Sequence, residues 1–282
     1  MRADVLDPVV MGVVNVTPDS FSDGGAWLDP VAAVRRGHEL VAQGADVLDI
    51  GGESTRPGAD PVSESEELRR VLPVLEGLAG AGARLSIDTS KAAVAAAALD
   101  AGATIVNDVT ALRGDPQMAP LVARRGCEVC LMHMLGEPRT MQCDPRYGDV
   151  VGDVRVFLAQ RLAFAVEAGI AEQRVWLDPG IGFGKTIDHN LELLARLDEI
   201  VALGRPIVVG TSRKSFLGTI TGRDDAGDRV PGTIATNVLA LARVARVFRV
   251  HDVKEARDAL LVAAATLRGR WAPATTTSKT TA

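Results

Sequence analysis

Polar side chains recur at one kind of place in this chain, the end of a short apolar run. Val9 to Val14 leads into Asn15, Val47-Leu48 into Asp49, and Leu85 to Ile87 into Asp88. Ile105-Val106 leads into Asn107, Val129 to Met132 into His133, and Val175 to Leu177 into Asp178. Pro206 to Gly210 is followed by Ser212-Arg213-Lys214, and Val247-Phe248 by Arg249 and His251. A carboxylate after a strand is often only a helix N-cap. A polar group at every such end points instead to a shared site. Asp88, Asp178 and Asn107 supply acceptors, and Asn107 a donor as well, which suits a flat heterocycle bearing amino and ring N–H groups. Arg56, Lys214, Arg249 and His251 supply positive charge for an oxyanion or phosphate. Asn15 is a neutral oxygen ligand of the kind Mg²⁺ accepts while keeping most of its waters and binding phosphate oxygens.

The densest stretch is Asp49-Ile50-Gly51-Gly52-Glu53-Ser54-Thr55-Arg56-Pro57-Gly58. Two glycines permit backbone conformations closed to other residues, and Thr55 and Arg56 follow as donors. The stretch reads as an anion-handling loop leaving a buried strand. Other patterns are decoys. Gly180 to Thr186 resembles the end of a phosphate-binding loop, but the required first glycine is Pro179. That segment reads as a pocket wall. Cys127-x-x-Cys130 has no second ligand pair for zinc and enters an apolar strand, so small buried thiols are expected. Cys143 is a single loop thiol, His38 lies mid-helix, and His189 lies near a helix start.

The elements that must position these groups alternate. Strand-length apolar runs are expected at Val9–Asn15, Val47–Ile50, Arg84–Asp88, Thr104–Asn107, Glu128–Met132, Arg174–Asp178, Pro206–Gly210 and Val247–His251. Helical patterns follow each, among them Pro30 to Ala42 capped by Asp29, Ser63 to Leu78, Lys91 to Ala101 capped by Ser90, and Asn190 to Leu203. A short extra helix is expected between Thr211 and Val230. Nearly all-apolar strands alternating with helices indicate a parallel sheet covered on its faces. Repeated about eight times they favour an α/β fold closed into a single-domain TIM barrel with the site at the C-terminal rim. An open doubly wound sheet is the alternative. Residues 1–8 read as an extension, 9–270 as the barrel, and 271–282 as a disordered, Thr-rich tail. The net charge of −5 opposes general nucleic-acid binding. No apolar run approaches the ~20 residues of a membrane span, and the expected location is cytoplasmic.

Met11-Gly12-Val13-Val14-Asn15-Val16-Thr17-Pro18-Asp19-Ser20-Phe21-Ser22-Asp23-Gly24-Gly25 resembles the N-terminal signature of the dihydropteroate synthases, and Asp49 to Gly58 resembles their second signature. The resemblance continues through Ser86-Ile87-Asp88-Thr89, Asn107-Asp108-Val109, Met132-His133-Met134, Leu177 to Lys185, Thr211 to Lys214 and Arg249 to Val253. It implies a Mg²⁺-requiring TIM barrel that joins 6-hydroxymethyl-7,8-dihydropterin pyrophosphate to p-aminobenzoate, giving 7,8-dihydropteroate and pyrophosphate by an SN1-like route. It implies that Asp88, Asn107, Asp178 and Lys214 hold the pterin, and that Asn15 meets the metal. Arg249 and His251 would meet the pyrophosphate. Thr55, Arg56, Pro57, Phe183 and Ser212 would frame the p-aminobenzoate, where sulfonamides compete, with Asp23 on the first loop. The catalytic set so implied is Asp23, Thr55, Arg56, Lys214, Arg249 and His251. The resemblance also implies a homodimer acting on small molecules in folate biosynthesis. The alternatives are a catalytically silent pterin-binding paralogue and a pterin-dependent methyltransferase domain.

Overall fold

The computed structural model describes residues 7–17, 29–56 and 58–271. Asp23, Pro57, residues 1–6 of the expected extension and the expected tail from residue 272 lie outside them. Eight strands run in parallel: β1 Val9–Asn15, β2 Val47–Gly51, β3 Arg84–Asp88, β4 Ile105–Asp108, β5 Glu128–Met132, β6 Val175–Asp178, β7 Val208–Val209 and β8 Val247–Val250. Their order is β6-β5-β4-β3-β2-β1-β8-β7. A parallel bridge from Leu177 to Ile207, with Leu177 N–H donating to Pro206 O at 3.0 Å, brings β6 against β7. That contact closes the ring and decides against the open sheet.

The helices outside it are α1 Pro30–Ala42, α2 Glu64–Leu78, α3 Ala92–Asp100, α4 Met118–Arg125, α5 Val150–Glu167, α6 Ile187–Ala195, α7 Leu197–Val201, α8 Ser215–Thr221, α9 Val230–Ala242 and α10 Val253–Arg268. Successive strand side chains point to opposite faces, and two cores result. Leu48, Ile50, Ile87, Val106, Leu131, Leu177 and Phe248 face outward and pack under the helices with Leu40, Leu75, Leu78 and Leu158. Each such burial stabilises by about 1.5–3 kcal/mol. Met11, Val47, Ile105, Cys130, Trp176, Val208 and Val247 form a second cluster inside the barrel and plug it.

Local chemistry sets several helix starts. Asp29 accepts from Val31 N–H at 2.9 Å ahead of Pro30. Ser63 accepts from Glu66 N–H at 3.3 Å, with Glu64, Glu66 and Glu67 in the positive first turn. Ser90 does not cap α3. The N-cap is Lys91, and the Ala92 N–H donates to Asp115 across the fold at 2.9 Å, a tertiary acceptor displacing the local one. The expected helix from Asn190 to Leu203 is two helices. They start earlier, on a Thr186–His189 capping box, and break at Arg196. The buried stripe of Leu193, Leu197 and Ile200 keeps helical spacing across the break, so periodicity does not register it. Strand β7 is two residues rather than five, because Arg246 N–H and Val247 N–H both donate to Ile207 O and interrupt the ladder.

Candidate active site

The polar groups stand one layer above the apolar plug. Two residues along a strand return the side chain to the same face. Asp49 therefore sits above Val47, Asn107 above Ile105, Asp178 above Trp176 and Arg249 above Val247, all on the inner side at the C-terminal mouth. The strand register aligns them: Asp49 pairs with Ser86, Asp88 with Asn107, and Met132 with Asp178.

Asp49 organises this layer. It is fully buried and accepts from Ser86 Oγ at 2.6 Å, Asn107 Nδ2 at 3.0 Å and Arg249 Nε at 2.6 Å. The sequence reading placed Asp49 in the strand-end series but gave it no site role. The available signal was a charge inside a buried strand, which must be paired to be tolerated. Arg249 Nη2 donates to Asp88 at 2.7 Å. Burial opposes the guanidinium charge, but Asp49 and Asp88 hold its pKa above the usual value. Its Nε and Nη2 are thus committed inward, and Nη1 is the nitrogen left for the rim. One guanidinium serves two carboxylates. Burial, with Asp49 adding repulsion against the pull of Arg249, lifts Asp88 to about 7.

Asn107 spends one amide N–H on Asp49, which turns that nitrogen inward and leaves its oxygen as the acceptor for a ligand. Asp178 accepts from Gly180 N–H at 2.6 Å through Oδ1, and burial raises its pKa against the opposing charge of Lys214. Lys214 donates to Ile181 O and lies 4.6 Å above the Phe183 ring. Burial brings its pKa down to about 8. On the far side, Ser212 Oγ accepts from His251 N–H at 3.1 Å and lies 3.0 Å from His251 Nδ1. A serine proton given to Nδ1 satisfies both contacts and leaves Nε2 as the N–H. Burial, then repulsion from Arg249 and Arg213, lowers His251 to about 4.

Asn15, Thr55, Arg56, Asp88, Asn107, Asp178, Phe183, Ser212, Lys214, Arg249 and His251 line one cleft of about 870 Å³. The expected site residues within the described chain therefore come together. His133 departs from the strand-end series: its ring is buried outside the cleft lining, edge-on to Phe157 at 4.8 Å. The reason is Lys185, whose Nζ lies 2.9 Å from His133 Nδ1 and donates to Phe183 O at 2.9 Å. Burial and that neighbouring lysine lower His133 to about 3. The Gly180–Thr186 segment forms cleft wall as expected, through Gly182, Phe183, Lys185 and Thr186. The β5–α5 segment pins it from outside: Gln142 donates to Gly182 O at 2.5 Å and Tyr147 to Gly184 O at 2.8 Å.

Among the described residues no group of three or more His, Cys, Asp or Glu side chains could hold a metal by itself. Asn15, half-buried at the mouth, still fits Mg²⁺, which takes one or two protein oxygens when a substrate brings phosphates. Cys127 and Cys130 are buried free thiols, and Cys143 is exposed and free. No helix among the described residues is long and apolar enough to cross a membrane.

Residues 11–251 match the family described as pterin binding enzyme. The chain is 48% identical over 256 residues to a dihydropteroate synthase of Neisseria meningitidis serogroup C, covering 90% of each chain. It is similar, with a TM-score of 0.89 and 45% identity, to the Yersinia pestis dihydropteroate synthase solved with a sulfonamide drug, covering 94% of this chain and 96% of that one. The Xanthomonas albilineans dihydropteroate synthase in complex with 7,8-dihydropteroate matches with a TM-score of 0.84 and 45% identity over 95% of each chain.

Proposed function

We propose a division of labour for a site whose reaction follows from descent: the chain belongs to the pterin-binding enzymes and, within them, to the dihydropteroate synthases. It is a transferase of folate biosynthesis that condenses 6-hydroxymethyl-7,8-dihydropterin pyrophosphate with p-aminobenzoate and is a sulfonamide target. The observation that carries the residue roles is the polarity of the cleft, with acceptors over the plug and cations at the rim. Asp178, Asp88 and the Asn107 oxygen accept the amino and ring N–H groups of the pterin, and Lys214 donates to its acceptor edge. Arg249 Nη1 and His251 Nε2–H face the pyrophosphate. Thr55, Arg56, Phe183 and Ser212, with Pro57, frame the p-aminobenzoate. When bound, Mg²⁺ would be held by Asn15 and would neutralise charge on the leaving pyrophosphate.

The pterin methylene C–O bond breaks, and the electron pair leaves with the pyrophosphate, whose growing charge Arg249 and His251 stabilise. The resulting cation is spread over the ring and stabilised by the buried carboxylates, a role we also assign to Asp23 from the resemblance. The neutral aniline nitrogen attacks the methylene carbon with its lone pair, and the resulting anilinium gives its proton to water to leave the secondary amine. Holding both substrates in one cleft supplies much of the remaining acceleration. We also propose a homodimer through the apolar face of α9 and α10, and a cytoplasmic location, supported by three cysteines that stay free.

The test is to supply pterin pyrophosphate, p-aminobenzoate and Mg²⁺ and to measure dihydropteroate and pyrophosphate. Both should form in equal amounts. Pterin binding without pyrophosphate release would mark a silent paralogue and overturn the reading. Asp178→Ala should abolish pterin binding in calorimetry, and undiminished binding would remove its assigned role.

A further inference from the structure

The loop that carries Thr55 and Arg56 is tied down by an ionic group outside the reaction. Glu53 Oε1 accepts from Val62 N–H at 2.9 Å, so one side chain joins the two ends of the loop. Glu53 Oε2 accepts from Lys91 Nζ at 2.6 Å. Lys91 lies three residues past Asp88, and its backbone N–H donates to Thr89 Oγ1 at 3.2 Å, so the ammonium is referenced to the β3 exit. The same Nζ donates to Glu67 Oε2 at 2.5 Å. Glu67 belongs to α2 and is fully buried, and its Oε1 has no hydrogen-bond partner. One turn along, Arg70 Nη1 donates to Gly52 O at 2.8 Å. A Cβ on Gly52 would lie 2.8 Å from Val71 and 3.1 Å from the Glu67 side chain, so the base of the loop is pressed onto the helix.

Two carboxylates on one ammonium, with a carboxylate oxygen unpaired, is a costly way to fill an interior. Apolar side chains would stabilise the helix contact better, but they would not fix the loop ends at hydrogen-bond distance. We propose that Glu53, Lys91 and Glu67 are positioning residues that anchor the loop from residue 53 to 62 and thereby hold Thr55 and Arg56 over the second-substrate end of the cleft. The proposal rests on the assignment of that loop to p-aminobenzoate.

The test uses the full-length chain with Lys91→Met and Glu67→Gln combined. The pair conserves net charge, and its effect on Asp88 is confined to losing the Glu67 repulsion, a minor cause beside burial and Arg249. Hydrogen exchange should rise by ~tenfold or more in residues 54–62 while strand β6 stays protected. The p-aminobenzoate KM should rise ~tenfold, with pterin pyrophosphate affinity within ~twofold of the parent. Lys91→Arg alone should restore most of both. A second variant, Glu53→Gln, keeps the shape and should give a smaller change of the same kind. Unchanged exchange in residues 54–62, or equal losses for the two substrates, would overturn the anchor. Arg56→Ala separates the underlying assignment. If the exchange rises as expected but neither Arg56→Ala nor the double variant moves the p-aminobenzoate KM, the anchor stands and the loop's substrate assignment falls.

Discussion

Lys214 carries a pH dependence whose sign differs between binding and stability. Burial lowers its pKa to about 8 from the ordinary lysine value of 10.5. An anionic ligand favours the ammonium, so the bound pKa must lie above 8, and affinity must fall as the pH rises between the two values. We expect the Lys214 contribution to the dissociation constant of pterin pyrophosphate to be flat below neutrality and to climb ~tenfold per pH unit above 8, with Asp88, lifted to about 7, adding a separate weakening as the pH falls below that value. Calorimetry across that range checks it, and Lys214→Arg should remove the slope. For the ligand-free fold the direction reverses. The unfolded chain binds more protons between 8 and 10.5, so the contribution of Lys214 to stability increases with pH there. At pH 7 the half-buried ammonium is a cost, and Lys214→Met should raise stability by on the order of 1 kcal/mol in urea titrations while losing pterin binding. A lower stability for Lys214→Met would mean that its contacts with Ile181 and Phe183 outweigh its desolvation.

The element that holds the pterin end most tightly is the turn after β6. Gly180 has φ +66, and a Cβ there would lie 1.8 Å from His133 O. Its N–H holds Asp178, so the steric fit and the orientation of the carboxylate are one feature. Gly180→Ala should therefore destabilise the chain by about 3 kcal/mol or more and weaken pterin binding with it. Gly58 has φ +82 with nothing within 4 Å of the added Cβ. Gly58→Ala should cost only about 1 kcal/mol. Thermal melts of the two variants side by side give the comparison. This contrast also marks what the sequence can show. The strands, Asp29 and Ser63 as caps, and the residues of the rim were legible because each depends on local type and period. The break at Arg196, the loss of Ser90 as a cap and the turning away of His133 were not. The last two are settled by partners distant in sequence, Asp115 for the Ala92 N–H and Lys185 for His133, while the break at Arg196 leaves the buried helical spacing intact. The resemblance supplied the ligand identities that residue types alone left at "heterocycle and anion".

At the scale of the whole molecule, one side of the helical shell differs in character from several others. Arg35, Arg36 and Glu39 pair on α1, Glu66 and Arg69 on α2, and Arg196 collects Asp149, Glu192 and Glu199 near α6. Between α9 and α10, Val238, Ala242, Ala259, Val262, Ala263 and Leu267 line an open groove instead. Leu239 is 62% exposed, Val262 68% and Trp271 78%. A contiguous apolar face of this kind usually marks an interface. The second copy proposed above would cover it by a two-fold pairing of like faces, and a stable pair needs roughly 800 Å² per partner. The same helix reaches the site. Thr233 of α9 accepts from Arg213 N–H at 3.0 Å, and Thr236 lies 2.8 Å from Thr211 Oγ1, so α9 supports the loop carrying Ser212 and Lys214. Dimerisation should therefore stiffen that loop as well as bury the face. Light scattering on the parent chain should give twice the mass of one chain, and Leu239→Asp with Val262→Asp should give a single-chain mass at ~10 µM. In the monomeric variant the KM for both substrates should rise by a few fold, because Ser212 and Lys214 serve different ends of the cleft from one loop. A parent chain that scatters as a monomer would refute the interface, and a monomeric variant with unaltered KM values would confine α9 to assembly.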